Sequence, residues 1–167
     1  MADILHRITI RATPRQVYAA LTTSEGIAGW WTRDVSLESV VGGQGQFGFH
    51  ERRVLTQVVV ATLIPDRRVD WTVTASNAPG GWTGTRISFE LAPQDGDTVL
   101  AFAHRGYDEA GEDFARVTTA WAYYLLSLRQ YAQTGVGAPH PDVDFARATL
   151  IDPQAEALTQ APARRLA

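Results

Sequence analysis

The sequence predicts an α+β fold in which a curved antiparallel sheet of about seven strands wraps around one long C-terminal helix. Two observations support this prediction. Between residues 35 and 105, short β-branched and aromatic segments follow one another with hairpin-length connections, which is typical of a meandering antiparallel sheet. At Gly111 the apolar spacing changes to a helical period and keeps it for about 23 residues.

One strand and two short helices are predicted before the meander. Residues 4–11 alternate between apolar and polar side chains, as a half-buried strand does. Thr13 can cap a helix, Pro14 suits its first position, and Gln16 can complete a capping box. Ser24 is the candidate cap of a second short helix.

Six further strands are predicted from alternation and turn residues. They are centred on residues 35–37, 47–49, 54–63, 69–74, 85–91 and 100–104. Four glycines between residues 42 and 48 surround Phe47, and they predict a bent or bulged strand at this point.

The long helix has clear start and stop signals. Glu112 and Asp113 fall in its first turn, where carboxylates interact favourably with the helix dipole, and Gly135 stands where a C-cap is expected. Prolines and weak periodicity follow. We therefore expect one domain over residues 1–139 and an extended tail over 140–167, with one helical turn near 153–160.

Composition excludes several classes of function. The net charge of −3 and the scattered arginines argue against a nucleic-acid partner. The chain has no cysteine and no lysine, which excludes thiolate and Schiff-base chemistry. Neither a signal peptide nor a membrane-spanning run is present, so a cytoplasmic location is expected.

Metal and cofactor motifs are missing from the sequence. His50 and Glu51 are adjacent rather than one helical turn apart, and no His-Glu-x-x-His spacing occurs. There is no phosphate-binding loop, dinucleotide fingerprint or nucleophile elbow. We expect neither a metal nor a cofactor.

The order of strand, two short helices, six strands and long helix is that of the helix-grip fold. Five segments add to this likeness: Ala12-Thr13-Pro14 with residues 17–22, Gly29-Trp30-Trp31-Thr32, Ala103-His104-Arg105-Gly106, Trp121 with Tyr124-Leu125, and residues 135–139. Together they resemble the domain named after the Hsp90 ATPase activator homologue, within the START-like SRPBCC superfamily, over about residues 3–139. The resemblance implies a cavity between sheet and long helix that holds a small apolar or amphipathic molecule.

Alternation and the resemblance together select candidate lining residues, which should point inward from the sheet, the second short helix and the long helix. They are Trp30, Trp31, Phe47, Phe49, Trp71, Ile87, Phe89, Phe102, His104, Phe114, Trp121 and Leu125. The alternative is that these side chains simply pack a core. His104 is the candidate acid or base, and its alternative is a core histidine bonded to the backbone or to a neighbouring hydroxyl.

Three functional hypotheses follow. The first is a non-catalytic binder of a small apolar molecule. The second is a cyclase, dehydratase or isomerase that uses His104 with an inward carboxylate or tyrosine; a carboxylate beside His104 would favour the enzyme. The third is a module that acts on a chaperone or another protein. A homodimer is also possible.

Overall fold

We describe residues 1–143 of a computed structural model of the chain. Its helices are α1 (Pro14–Thr22), α2 (Ser24–Trp30) and α3 (Glu112–Thr134). Its strands are β1 (Ala2–Ile10), β2 (Asp34–Leu37), β3 (Gln44–Phe49), β4 (Val54–Ile64), β5 (Arg68–Ser76), β6 (Arg86–Gln94) and β7 (Asp97–Tyr107).

The strands form one antiparallel sheet in the order β1-β7-β6-β5-β4-β3-β2. Strands β2 to β7 pair in sequence order, as hairpin-length connections dictate. Only β1 pairs out of sequence, because α1 and α2 carry the chain away from it to the opposite edge. The predicted fold class is confirmed: a seven-stranded antiparallel sheet with the C-terminal helix packed on one face.

One residue, Thr23, caps the end of α1 and the start of α2. The capping box of Thr13 and Gln16 is present as predicted. The predicted cap at Ser24 is wrong, because Thr23 is the residue with extended backbone and its hydroxyl accepts the N–H of Gly26 at 2.9 Å. The Ser24 hydroxyl instead accepts the N–H of Leu37 at 3.1 Å, which joins α2 to β2.

The predicted bulge in β3 is also wrong. Strand β3 pairs regularly with β4, and the register shifts lie on the other side of β4, opposite β5. A Cβ at Gly45 would come within 2.9 Å of both Leu37 and Val58. The glycine therefore makes room for neighbouring side chains rather than bending its own strand.

Helix α3 has the predicted length and end. Its 23 residues stop at Gly135, which adopts the left-handed conformation with φ of 80°. The buried face includes Tyr124 and Ser127, which are not among the predicted inward residues of the helix. Ser127 is buried because its hydroxyl donates to the Trp30 carbonyl at 2.7 Å and accepts the Ala138 N–H at 2.7 Å.

The segment after α3 returns to the first third of the chain. The N–H of His140 donates to the Trp31 carbonyl, and the N–H of Arg33 donates to the His140 carbonyl, both at 2.9 Å. The first residues of the predicted tail are thus hydrogen-bonded to the sheet-and-helix body. The helical turn expected near 153–160 lies outside the described residues.

Candidate functional site

An aromatic cluster fills the space between sheet and helix. It contains all five tryptophans of the chain. The Trp31 ring lies at its centre, 4.5 Å from Phe47, 5.1 Å from Trp121 and 6.1 Å from Trp71 between ring centroids. The middle of the concave face is therefore packed, and among residues 1–143 an apolar space lies towards one end of α3.

At that end the structure has an apolar pocket of about 260 Å³. We call it the α3 pocket. Its walls come from the first half of α3, the β3–β4 hairpin, the β5–β6 loop and Trp31. The lining residues are Trp31, Phe49, His50, Val54, Thr56, Ala78, Pro79, Trp82, Arg116, Val117, Ala120, Trp121 and Tyr124.

Three of the twelve predicted lining residues lie in this wall, namely Trp31, Phe49 and Trp121. The others contribute to the packing behind it. The fully buried members of that group are Trp30, Phe47, Trp71, Ile87, Phe89, Phe102, His104 and Leu125. Phe114 is partly buried and packs edge-on against Tyr107, with ring centroids 5.2 Å apart.

Sequence reasoning missed most of the wall because it lies in loops, at the start of β4 and at helix positions other than the predicted inward ones. Trp82 stacks on Trp121 at 5.9 Å and is 8% exposed. The sequence feature that could have indicated this role is the position of Trp82 directly after Gly80 and Gly81. Gly80 and Gly81 both have positive φ, 89° and 69°, which glycine adopts readily and which turns the loop towards α3.

The polar groups of the pocket are few and lie at different depths. Thr56 is buried, and its hydroxyl lies 2.8 Å from that of Ser76. Arg116 and the His50 side chain are exposed at the mouth. Arg116 pairs with Glu112 at 3.2 Å along the helix surface. A ligand would therefore meet an apolar interior and a charged entrance.

His104 lies behind this wall and is fully buried. The indole N–H of Trp121 donates to its Nδ1 at 3.1 Å, and the Tyr107 hydroxyl lies 2.8 Å from the same atom. An indole N–H can only donate, so Nδ1 is unprotonated and Nε2 carries the hydrogen. Nε2 then donates to the Thr85 hydroxyl at 2.7 Å, and this hydroxyl donates to the Trp82 carbonyl at 2.5 Å.

Burial lowers the pKa of His104 to about 3. Burial also raises the pKa of its neighbour Tyr107. Both side chains are therefore neutral near pH 7. The network joins α3, through Trp121, to the loop that carries Trp82, so that His104 holds two walls of the α3 pocket in place.

Two further structural findings concern residues 1–143 alone. In this part of the chain, no three His, Asp or Glu side chains are grouped closely enough to hold a metal ion. Its helices also lack the combination of length and apolar character that crossing a bilayer requires.

A seven-stranded antiparallel sheet that packs against one long helix, with an apolar pocket beside that helix, defines a helix-grip domain. The model of the family described as Activator of Hsp90 ATPase homolog 1-like protein matches residues 11–133. The chain belongs to this family. A comparison with functionally curated proteins gives no match.

Solved structures agree with this assignment. The Aha1 dimer from Colwellia psychrerythraea is 39% identical, with a TM-score of 0.74 over 82% of this chain and 100% of that one. CalU16 from Micromonospora echinospora is 16% identical, with a TM-score of 0.64 over 80% of this chain and 77% of that one. DynU16, from the dynemicin biosynthetic locus, is 16% identical, with a TM-score of 0.67 over 81% of this chain and 49% of its own. The last two likenesses are of fold.

Proposed function

We propose that the protein binds a small, flat, apolar or amphipathic molecule in the α3 pocket. The observation that carries this proposal is a pocket of about 260 Å³ with walls that are mainly aromatic and aliphatic. Ligand pockets commonly measure about 300–1,000 Å³, so a molecule of up to about three rings suits this one better than a lipid chain.

Ring stacking and the burial of apolar surface both favour a bound ligand in the α3 pocket. Trp82 and Trp121 stack within 19° of parallel, and a planar ligand can extend that stack. A ligand that buries about 200 Å² of apolar surface gains about 5 kcal/mol at 25 cal/mol per Å². The polar groups at the mouth, Arg116 and His50, leave room for a polar end that faces water.

The arrangement around His104 supports binding over acid–base catalysis. Its hydrogen-bond partners are the hydroxyls of Thr85 and Tyr107 and the indole of Trp121. A tyrosine, one of the partners that the enzyme hypothesis names, is therefore present, but burial raises its pKa, and the carboxylate that would favour the enzyme is not among these contacts. It has no exposed surface, and burial lowers its pKa to about 3. A cyclase or dehydratase mechanism through His104 would need a proton route to the pocket that these contacts do not supply.

The test is a matched pair of substitutions on α3. Ala120 lines the pocket, so Ala120→Phe fills it, whereas Ala115 is exposed on the same helix away from the pocket. We expect anilinonaphthalene sulfonate to bind the wild type at about one site per chain and to quench tryptophan emission. Ala120→Phe should weaken binding at least about tenfold, or 1.4 kcal/mol, and Ala115→Phe should leave it within about twofold.

Equal binding by both variants would refute the α3 pocket as the site. Near-ultraviolet circular dichroism of each variant checks that the aromatic cluster is intact. Native mass spectrometry of the protein purified from its own host would then identify a retained natural ligand by mass.

We also propose self-association, because one relative is described as a dimer at 39% identity. The hypothesis of a module that acts on a chaperone rests on the family description, which names an activator of the Hsp90 ATPase. Stoichiometric recovery of Hsp90 in a pull-down from the host would raise that hypothesis above ligand binding.

A further inference from the structure

The turn between β3 and β4, residues 50–53, forms one side of the mouth of the α3 pocket. His50 lies in this turn, and Phe49 and Val54 flank it; all three line the pocket. A displacement of the turn would therefore widen or close the entrance. The facing wall belongs to α3, which is held by its long packed interface.

The backbone of this turn is strained. His50, Glu51 and Arg52 all have positive φ, at 51°, 56° and 65°. None is glycine, so each Cβ crowds the following carbonyl oxygen. Runs of such residues persist only where surrounding contacts hold them, and they are concentrated at sites that change conformation.

One of the contacts that hold the turn is a histidine side chain. The backbone N–H of His50 donates to Nε2 of His140 at 2.9 Å. The two imidazole rings are 4.6 Å apart, and the His140 ring is 5.5 Å from Phe49. His140 is itself fixed through its backbone to Trp31 and Arg33. We call the His50–His140 hydrogen bond the latch.

The latch depends on the charge of His140. An imidazole nitrogen accepts a hydrogen bond only when it carries no proton, and a protonated ring has two donors and no acceptor. Histidine is the side chain that ordinarily changes charge between pH 5 and 8. Protonation of His140 would therefore break the latch and place a positive charge against a backbone N–H.

We propose that residues 50–53 are a lid at one side of the mouth of the α3 pocket, and that the latch holds this mouth in its present narrow form when His140 is neutral and lets it widen when His140 is protonated. This inference rests on the proposed function of the pocket and adds a means of regulation to it.

Among residues 1–143, two ion pairs lie close to His140. From β2 and the loop before it, Asp34 pairs with Arg52 at 2.8 Å and Arg33 pairs with Asp142 at 2.5 Å. Hydrogen bonds from these arginines lower the pKa of both carboxyls, so they stay ionised well below pH 5.5.

The turn and α3 bring the remaining titratable neighbours. Glu51 and Arg53 are exposed and pair loosely at 3.8 Å. Tyr124 of α3 contacts Phe49, with the ring centroids 6.2 Å apart. The His50 imidazole also faces His140, but the latch uses the backbone N–H of His50, so His50→Gln separates the two histidines.

The main test is stopped-flow entry of anilinonaphthalene sulfonate, whose sulfonate stays ionised, between pH 7.5 and 5.5. We expect the association rate of the wild type to rise about tenfold on acidification and that of His140→Ala to be fast at both pH values. His50→Gln should keep the pH dependence. Glu51→Gly relieves the strain of the closed turn, so entry should slow about threefold to fivefold.

A second readout needs no ligand. In ¹H–¹⁵N spectra the His50 amide proton should lie downfield at pH 7.5 and move upfield as His140 titrates, and in His140→Ala it should lie upfield throughout. If neither pH nor Glu51→Gly changes the association rate of the probe, the proposed lid is refuted and the proposed binding function stands. Absence of probe binding in every variant would refute the binding function, while the amide titration still decides the latch.

Discussion

His104 shows how burial changes the role of a residue that the sequence marks as chemical. Its strand position, opposite Ile4 in β1 and Ile87 in β6, directs it inward as predicted. Inside, however, it meets hydroxyls and an indole rather than a carboxylate. Alternation predicts which way a side chain points, but the groups it meets come from α3 and from the β5–β6 loop.

The burial of His104 predicts a pH-dependent stability. Burial lowers its folded-state pKa to about 3, whereas the unfolded chain takes up the proton near pH 6.5. The unfolded state therefore binds more protons between these values, and the stabilisation present above pH 6.5 is lost as the pH falls. The expected slope is about 1.4 kcal/mol per pH unit.

Urea unfolding of the wild type and His104→Phe between pH 7.5 and 4.5 measures this contribution. The difference in unfolding free energy should be largest at pH 7.5 and should shrink by about 3 kcal/mol by pH 4.5. Carboxylates titrate in both proteins, so their contributions cancel in the difference. A pH-independent difference would show that His104 takes up its proton at the same pH in the folded and unfolded states, so that burial does not lower its pKa.

At the scale of the elements, the junction between α1 and α2 depends on the close approach of Gly26 to the backbone of α1. A Cβ on Gly26 would lie 2.6 Å from Cα of Ala20 and 2.7 Å from the carbonyl oxygen of Ala19. These are backbone atoms, which cannot move aside as a flexible side chain does. The absence of a side chain at Gly26 thus lets Trp30 reach the Ala20 carbonyl with its indole N–H at 3.0 Å.

Replacing Gly26 by alanine should therefore separate the two helices. We expect a loss of about 1–3 kcal/mol of stability, as for other overpacked sites. Gly111→Ala is the matched control, because its added Cβ meets open space and its φ of −113° suits any residue. Thermal unfolding of both variants checks this: comparable melting temperatures would mean that the junction relaxes freely.

Helix boundaries could be predicted from the sequence where one residue determines the backbone conformation at the end of the helix. The capping box at Thr13 and the left-handed Gly135 were both predicted, because each satisfies helix-end hydrogen bonds within a few residues. The β3 bulge was wrong because glycine has two uses in a strand, bending it or admitting a neighbour. Only the positions of Leu37 and Val58 show which use applies.

At the scale of the whole molecule, the aromatic cluster decides where space is left. The rings of Trp31, Phe47, Trp71 and Trp121 fill the centre of the concave face. The α3 pocket remains at the end of the helix where the β3–β4 hairpin and the β5–β6 loop form the far wall. The cavity expected between the sheet and the long helix is thus confined to a site for a small molecule.

Self-association is the prediction that belongs to this scale. Sedimentation equilibrium should give a mass near twice the 18.3 kDa of the chain, with dissociation on dilution as mass action requires. A constant monomer mass up to about 100 μM would contradict the proposed dimer. It would not affect ligand binding, because the α3 pocket is formed within one chain.

The sequence by itself determined the strands, the helices and their order, because periodicity and caps act over a few residues. It also determined that most of the candidate residues are inward and apolar. Only the tertiary structure decided that eight of those twelve are packed core and that the wall includes Trp82, Ala120 and Tyr124. The reason is physical. Whether an inward side chain fills or lines a space depends on the volumes of side chains from segments that are far apart in the chain. A local sequence pattern does not contain this information.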